Sequence, residues 1–172
     1  MSSIANGSDI MPDILFKTSD YIFSYRVAGI LIRNGKVLLQ RPVGDSGYAF
    51  PGGHVGLGKT NEETLVREFK EEISADIKVD GLRWVGEIFF SWGNKPCHQI
   101  CLYYDVSLDD ETQIPLDKSF FATDELENKK IGLEFSWINI AGIEEVEIYP
   151  ANAKQLLRDY NSGIEHFVYK EM

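Results

Sequence analysis

Arg67-Glu68-Phe69-Lys70-Glu71-Glu72 places three carboxylates within little more than one helical turn. At about 100° per residue, Glu71 and Glu72 fall on either side of Glu68, and Leu65, Val66, Phe69 and Ile73 take an adjacent apolar arc. Like charges spaced i,i+3 and i,i+4 cost roughly 0.2–0.5 kcal/mol per pair, so a helix serving stability alone gains nothing from stacking them. A divalent cation between the carboxylates reverses that balance, and oxygen donors suit Mg²⁺ or Mn²⁺ rather than a softer metal. The plainer reading is a solvated acidic face.

The residues in front favour the first reading. Pro51-Gly52-Gly53 is a turn signal whose glycines reach backbone angles closed to other residues. A loop follows, and Thr60-x-x-Glu63 reads as a capping box that opens the acidic helix. Strand, glycine loop and capped helix form one unit.

Over residues 53–75 this unit resembles the box of the Nudix hydrolase family, G-x5-E-x7-R-E-U-x-E-E-x-G-U, where U is a bulky aliphatic residue. Gly53 is its first glycine, Arg67 to Glu72 its central run, and the spacing between them fits without a gap. Phe69 is an aromatic in a U position, and Ala75 is a small final U. Lys59 stands where the family has the glutamate that pairs with the arginine, so Lys59 is expected to meet Arg67 with like charge. Ser74 replaces the second glycine and must end the helix without glycine's easy left-handed conformation, at about 1 kcal/mol.

The resemblance implies an α/β (α+β) fold, an α/β/α sandwich with a mixed β-sheet between helices. It implies a hydrolase that cleaves the phosphoanhydride of a nucleoside diphosphate linked to another group X, with Mg²⁺ or Mn²⁺ as cofactor. Glu68 and Glu72 would bind the metal directly, Glu71 would complete the site directly or through water, and the Gly53 carbonyl would add a further ligand. Arg67 would orient the glutamates, and Arg41, with Gly52 and Gly53, would face the substrate. The general base varies across the family; Glu134, Glu125 and Glu127 are the candidates here, and each could instead be a surface acid. Trp92 and Tyr103 are the aromatics singled out to stack on a nucleobase, against the alternative that both fill the core. Nucleoside triphosphates, sugar nucleotides and dinucleotides present the same pyrophosphate, so X stays open. A competing reading, motivated by Lys59 and Ser74, is a Nudix-fold nucleotide-binding or regulatory module with weakened catalysis.

The chain has 172 residues, 44% hydrophobic, with a net charge of −10. One domain over residues 1–172 is expected, with 1–12 as a lead-in. The negative balance disfavours long nucleic acid and acidic membranes as partners, and makes an anionic small-molecule nucleotide dependent on a metal or on local arginines. Pairing into a homodimer is left open. The first residues carry neither the basic flank nor the apolar run of a signal peptide. Cys97 and Cys101 share a predicted strand, roughly 13 Å apart at about 3.3 Å per residue, too far to bridge. A reduced, cytoplasmic protein is the expectation. His98 between them does not make a zinc site, because alternate strand residues point to opposite faces.

Strands are expected over 21–32 and 36–41, joined as a hairpin by Asn34-Gly35, and over 77–92 and 96–107 around Gly93-Asn94. Residues 108–130 read as a polar connection, 133–138 as a strand, and 142–147 as a short helix. A last helix over 151–160 and an edge strand over 166–169 close the chain.

Overall fold

The computed structural model describes residues 12–171 except 117, 127 and 128, with backbone alone at 124–126 and 129. Apart from Pro12, the expected lead-in lies outside the described residues. In order the chain forms β1 (Leu15–Lys17), β2 (Ile22–Ile30), β3 (Ile32–Arg33), β4 (Lys36–Pro42), β5 (Gly47–Tyr48), β6 (Gly52–His54) and α1 (Asn61–Ile73). It continues through β7 (Ile77–Trp92), β8 (Lys95–Leu108), β9 (Phe120–Leu126), β10 (Lys129–Asn139), β11 (Glu147–Ile148), α2 (Asn152–Arg158) and β12 (Glu165–Lys170).

Period-two alternation in the central strands sets the layers. Val27 of β2 and Leu38 of β4 point into one core with Leu65 and Phe69 of α1. Their neighbours Ala28, Val37 and Leu39 point into a second core with Ala153 and Leu157 of α2. The strands thus lie between two helical layers, a mixed α+β arrangement. The larger sheet runs β1-β2-β8-β7-β12, with β6 also paired to β2. It is mixed, since β2–β8 and β7–β12 are parallel while β7–β8 is antiparallel. A second, antiparallel sheet runs β3-β4-β10-β9. Among the described residues, no helix is long and apolar enough to cross a membrane.

Three expectations need correction. Asn34-Gly35 does form the left-handed turn, with φ of 51° and 72°, yet only Ile32–Arg33 pair back on β4. The chain leaves one sheet for the other at Leu31, so most of β2 pairs with β8 instead. Within the supposed connection 108–130, β9 forms a hairpin with β10; Phe120 stacks on Phe135 at 5.1 Å, apolar content that the flanking acids masked. The helix expected over 142–147 is a kinked 3-10 segment, Ile140–Glu145, followed by β11.

Helix α1 is defined sharply at both ends. Thr60 accepts from the Glu63 amide at 3.1 Å, and Glu63 accepts from the Thr60 amide at 2.8 Å, closing the capping box. Ser74 takes the left-handed conformation, φ 56° and ψ 26°. The Ser74 and Ala75 amides return to Lys70 and Phe69 carbonyls, the pattern usually made with glycine. A serine Cβ is strained there. Ser74→Gly is therefore expected to raise the unfolding free energy by about 0.5–1 kcal/mol, read from urea denaturation; a decrease would mean that the serine contributes a contact beyond its backbone.

Candidate active site

Leu65, Glu68, Phe69 and Glu72 share an arc of about 100° on α1. Leu65 and Phe69 are fully buried, Glu72 is 9% exposed, and the Glu68 side chain is 13% exposed. Two carboxylates thus occupy the stripe that turns inward, where periodicity alone asks for apolar residues. Glu71 lies at the edge of that stripe with a side chain 61% exposed. Val66, expected on the apolar arc, is 43% exposed, and Ile73 is only half-buried. The buried face is rotated toward the glutamates relative to the expected one.

Arg67 organises the acids from outside, donating to Glu68 Oε1 at 2.6 Å and to Glu71 Oε2 at 2.8 Å. The expected clash with Lys59 is not what surrounds Arg67. Lys59 is exposed, its amide closes a turn on Gly56, and its charge acts on Glu63 of the capping box. Another acid enters from the chain's start. Ile14 donates to the Val55 carbonyl and Leu57 to the Pro12 carbonyl, both at 2.8 Å, which pins Asp13 beside the loop. Burial pushes the Asp13 carboxyl up, while Arg67 and Arg26 pull it back down.

The glycine loop supplies the opposite wall. Strand β6 pairs antiparallel with β2, placing Gly53 across from Val27 and His54 across from Arg26. A Cβ on Gly52 would run into the Val27 carbonyl oxygen, and one on Gly53 into the Glu68 carboxylate. Gly52 is therefore required by its close approach to backbone, and a side chain at Gly53 would displace the Glu68 carboxylate. Arg26 reaches over the loop and donates to the Gly52 carbonyl at 3.3 Å.

His54 is held in a directional chain. Ser24 Oγ donates to Gln99 Oε1 at 3.2 Å and lies 3.1 Å from His54 Nε2. The hydroxyl has one proton, and with that proton on Gln99 the His54 ring must be the donor to Ser24. Burial, then Arg26 and Lys17, lower the His54 pKa to about 4, so the ring is neutral near pH 7. Trp92 stacks on the imidazole with centroids 6.1 Å apart.

These groups line a cleft of about 470 Å³ that holds Asp13, Arg26, Arg41, Gly52, Gly53, Arg67, Glu68, Glu71 and Glu72. A second cavity of about 340 Å³ shares Arg26, Gln40 and Ala49 with it. Arg41 is in the cleft wall but donates to Glu134 at 2.8 Å and lies 4.6 Å from the Tyr48 ring. The hydrogen bond to Glu134 raises the Arg41 pKa further. Glu134 is thus engaged with Arg41 and is not in the lining of the cleft. Glu127 and the side chain of Glu125 lie outside the described residues. Trp92 packs behind His54 and lines neither cavity. Tyr103 is 3% exposed among Phe50, Trp84 and Phe167, a core position that also walls the second cavity. Sequence reasoning missed Arg26, Asp13 and Gln40; an arginine inside the apolar run of β2 was the available signal.

Among the described residues, no group of three His, Cys, Asp or Glu side chains forms a ready metal cluster. The donors still fit a hard cation. Mg²⁺ is commonly bound through one or two carboxylates, keeping waters and substrate phosphates as its other ligands. Glu68 and Glu72 are the two carboxylates that could hold such a cation, and the missing Cβ of Gly53 leaves the Glu68 carboxylate its room.

The NUDIX domain family model matches residues 24–158 of the chain. Among solved structures, the chain is similar to a NUDIX hydrolase from Nitrosomonas europaea, with 15% identity, a TM-score of 0.60, and coverage of 90% of this chain and 82% of that one. It is similar to a MutT protein from Bacillus halodurans, at 17% identity and a TM-score of 0.58 over 86% and 90% of the two chains. It is also similar to a UDP-X diphosphatase, at 15% identity and a TM-score of 0.55 over 88% and 69%. At such identities the likeness to these structures is one of fold.

The neutral His54 makes a pH prediction. Its folded pKa of about 4 lies below the ordinary 6.5, so between those values the unfolded chain binds the extra proton. Stability is expected to fall as pH drops from 6.5 to 4, with up to about 3 kcal/mol from this group. Urea denaturation of metal-free protein across that range should show a shallower fall for His54→Gln than for wild type. Equal slopes would remove His54 as the cause.

Proposed function

The chain belongs to the Nudix family, and on that premise we propose that it is a metal-dependent pyrophosphohydrolase acting on a nucleoside diphosphate linked to a group X. The family consists of hydrolases of phosphoanhydride bonds. The observation that carries the finer reading is the inward placement of Glu68 and Glu72 on a capped helix, with Gly53 against the Glu68 carboxylate. In this reading, Glu68 and Glu72 hold Mg²⁺ or Mn²⁺ together with the Gly53 carbonyl. When bound, the cation neutralises phosphate charge and makes water a better nucleophile at neutral pH.

The chain's own residues do the rest. Arg67 fixes the Glu68 and Glu71 carboxylates through its two hydrogen bonds, which spares the metal-binding acid a search among rotamers. In this reading Glu71, which lines the cleft, accepts the proton of the attacking water. Arg26 and Arg41 supply positive charge for the substrate phosphates in a protein whose net charge is −10. Glu134 aims Arg41 and is assigned that role instead of general base.

A nucleotide sugar, a nucleoside triphosphate and a dinucleotide all meet the requirement for a pyrophosphate. The reading of a module without turnover rests on Lys59 and Ser74. Ser74 keeps the left-handed cap and Arg67 keeps two carboxylate partners, so neither departure disturbs Glu68 or Glu72. A small-molecule substrate and a reducing, cytoplasmic setting agree with the charge and with two cysteines that are buried and free.

Two variants test the assignment. Glu72→Gln is expected to lower metal-dependent phosphate-product release at least about 100-fold while preserving the circular-dichroism spectrum; unchanged turnover would sink the metal assignment. Glu134→Gln is expected to raise KM about tenfold with kcat changed less than about threefold, because it frees Arg41 without touching the reacting water. A collapse of kcat at constant KM would return Glu134 to the role of base.

A further inference from the structure

A row of rings crosses the larger sheet on a face that the described helices cover only at one end. Phe16, Phe23, His98, Phe89 and Lys170, one residue from each of β1, β2, β8, β7 and β12, are successive partners in the strand registers. Phe16 stacks on Phe23 at 6.2 Å, His98 lies 6.0 Å from Phe23 and 4.3 Å from Phe89, and the Lys170 ammonium is 5.5 Å from the Phe89 ring centre. Helix α1 meets this face at Val27 and at Gly29, where Phe69 lies against the backbone. Phe23 is four residues from Val27, about 13 Å along the strand. Helix α2 packs on the opposite face, where Ile88, Cys101 and Phe167 are buried. On the ring side no member of the row is buried, Phe16 is 57% exposed and Val168 of β12 is 46% exposed. Yet Ile88-Phe89-Phe90 of β7 and Ile100-Cys101-Leu102 of β8 are apolar on both faces, the pattern of strands covered on both sides.

Charge narrows what the cover is. With a net charge of −10, two copies of the chain repel over acidic surface. This end of the ring face instead offers Lys170 and His98, and its carboxylate, Glu87, is held by His166 at 2.8 Å. A second copy approaching here meets rings and a cation rather than bare carboxylates. Five strands span about 24 Å, and Val85 and Val168 carry the apolar surface to about 20 Å along them, so a pair of copies covers roughly 1,000 Å² of flat sheet. That is the size at which a contact becomes a specific interface. We propose that this face is a dimer interface, two copies packing ring row to ring row as sheet on sheet in an isologous contact. Because α1 stands at one end of the face, the two-fold axis runs across the strands and sends the two helices to opposite ends. An axis at the level of Glu87 and Val168, which are register partners, brings Lys170 of each copy towards the Glu87 carboxylate of the other. None of these residues lines the carboxylate cleft, so the dimer stands apart from the hydrolase reading.

Analytical ultracentrifugation of the full-length chain, from about 1 to about 100 µM, tests the interface. The wild type is expected to pass from monomer to dimer with a Kd of about 10 µM or tighter. Val168→Glu and Phe16→Glu replace exposed side chains on two different strands of the face. Each is expected to weaken association about tenfold or more while leaving the circular-dichroism spectrum unchanged. Phe121→Glu adds the same charge at an exposed ring of β9, in the other sheet, and is expected to keep Kd within about threefold of wild type. A wild type that stays monomeric at about 100 µM overturns the proposal and leaves the face to a different protein. A dimer that survives both Val168→Glu and Phe16→Glu overturns it as well, because the contact then lies elsewhere. So does one that Phe121→Glu weakens equally, because net charge and not this face then governs association.

Discussion

Two glutamates on the inward face of one helix are the constraint around which the rest of the molecule is arranged. Glu68 and Glu72 interleave with Leu65 and Phe69, so the same stripe that anchors α1 to its core also carries negative charge. Carboxylates seldom sit in such positions without partners, because desolvation penalises the charged form. The helix cannot avoid the problem by rotating, since that would withdraw Phe69. The remaining solution is local: Arg67 reaches Glu68 from the next residue, and Gly53 leaves on the opposite wall the space that the Glu68 carboxylate fills.

That solution explains how firmly the helix is held. A capping box fixes its first turn, a left-handed serine and a pair of returning amides fix its last, and Lys70 closes on Asp76 at 2.8 Å just beyond. Each device is worth on the order of 1 kcal/mol or less. Together they oppose rotation and fraying of a helix whose own charges repel. Positioning to fractions of an ångström matters for a hydrolase's reacting groups in a way it does not for a helix that only fills a core.

The part of this arrangement carried by short-range pattern was legible in the sequence. The capping box, the glycine pair and the run from Arg67 to Glu72 depend on neighbours within a turn or two, and they appear at the expected residues. What depends on pairing between distant strands was not. The switch of the chain from one sheet to the other at Leu31 leaves no local mark, and β9 was obscured because acids flank its apolar residues. Arg26 and Asp13 join the cleft only because β2 lies beside β6 and because the segment at Pro12 bonds to Leu57. Trp92 and Tyr103 were chosen by residue type, and type cannot tell a ring against a cavity from a ring against a histidine.

The same pairing joins the cleft to the second cavity. Arg26 sits opposite His54 in the register of β2 and β6, and Ser24, two residues along the same face of β2, joins His54 to Gln99 of β8. Successive odd or even positions of a strand face one side, so a single strand delivers Ser24, Arg26 and Ala28 to the region where the cleft and the cavity meet. The neutral state of His54 follows from its burial and from the positive charge of Arg26 and Lys17. A protonated ring could still donate to Ser24, but it would add a third positive charge at a point where Arg26 already serves. Keeping His54 neutral leaves the cation count of the cleft to the arginines. Ser24 of β2 therefore links His54, in the wall of the cleft, to Gln99, in the wall of the cavity.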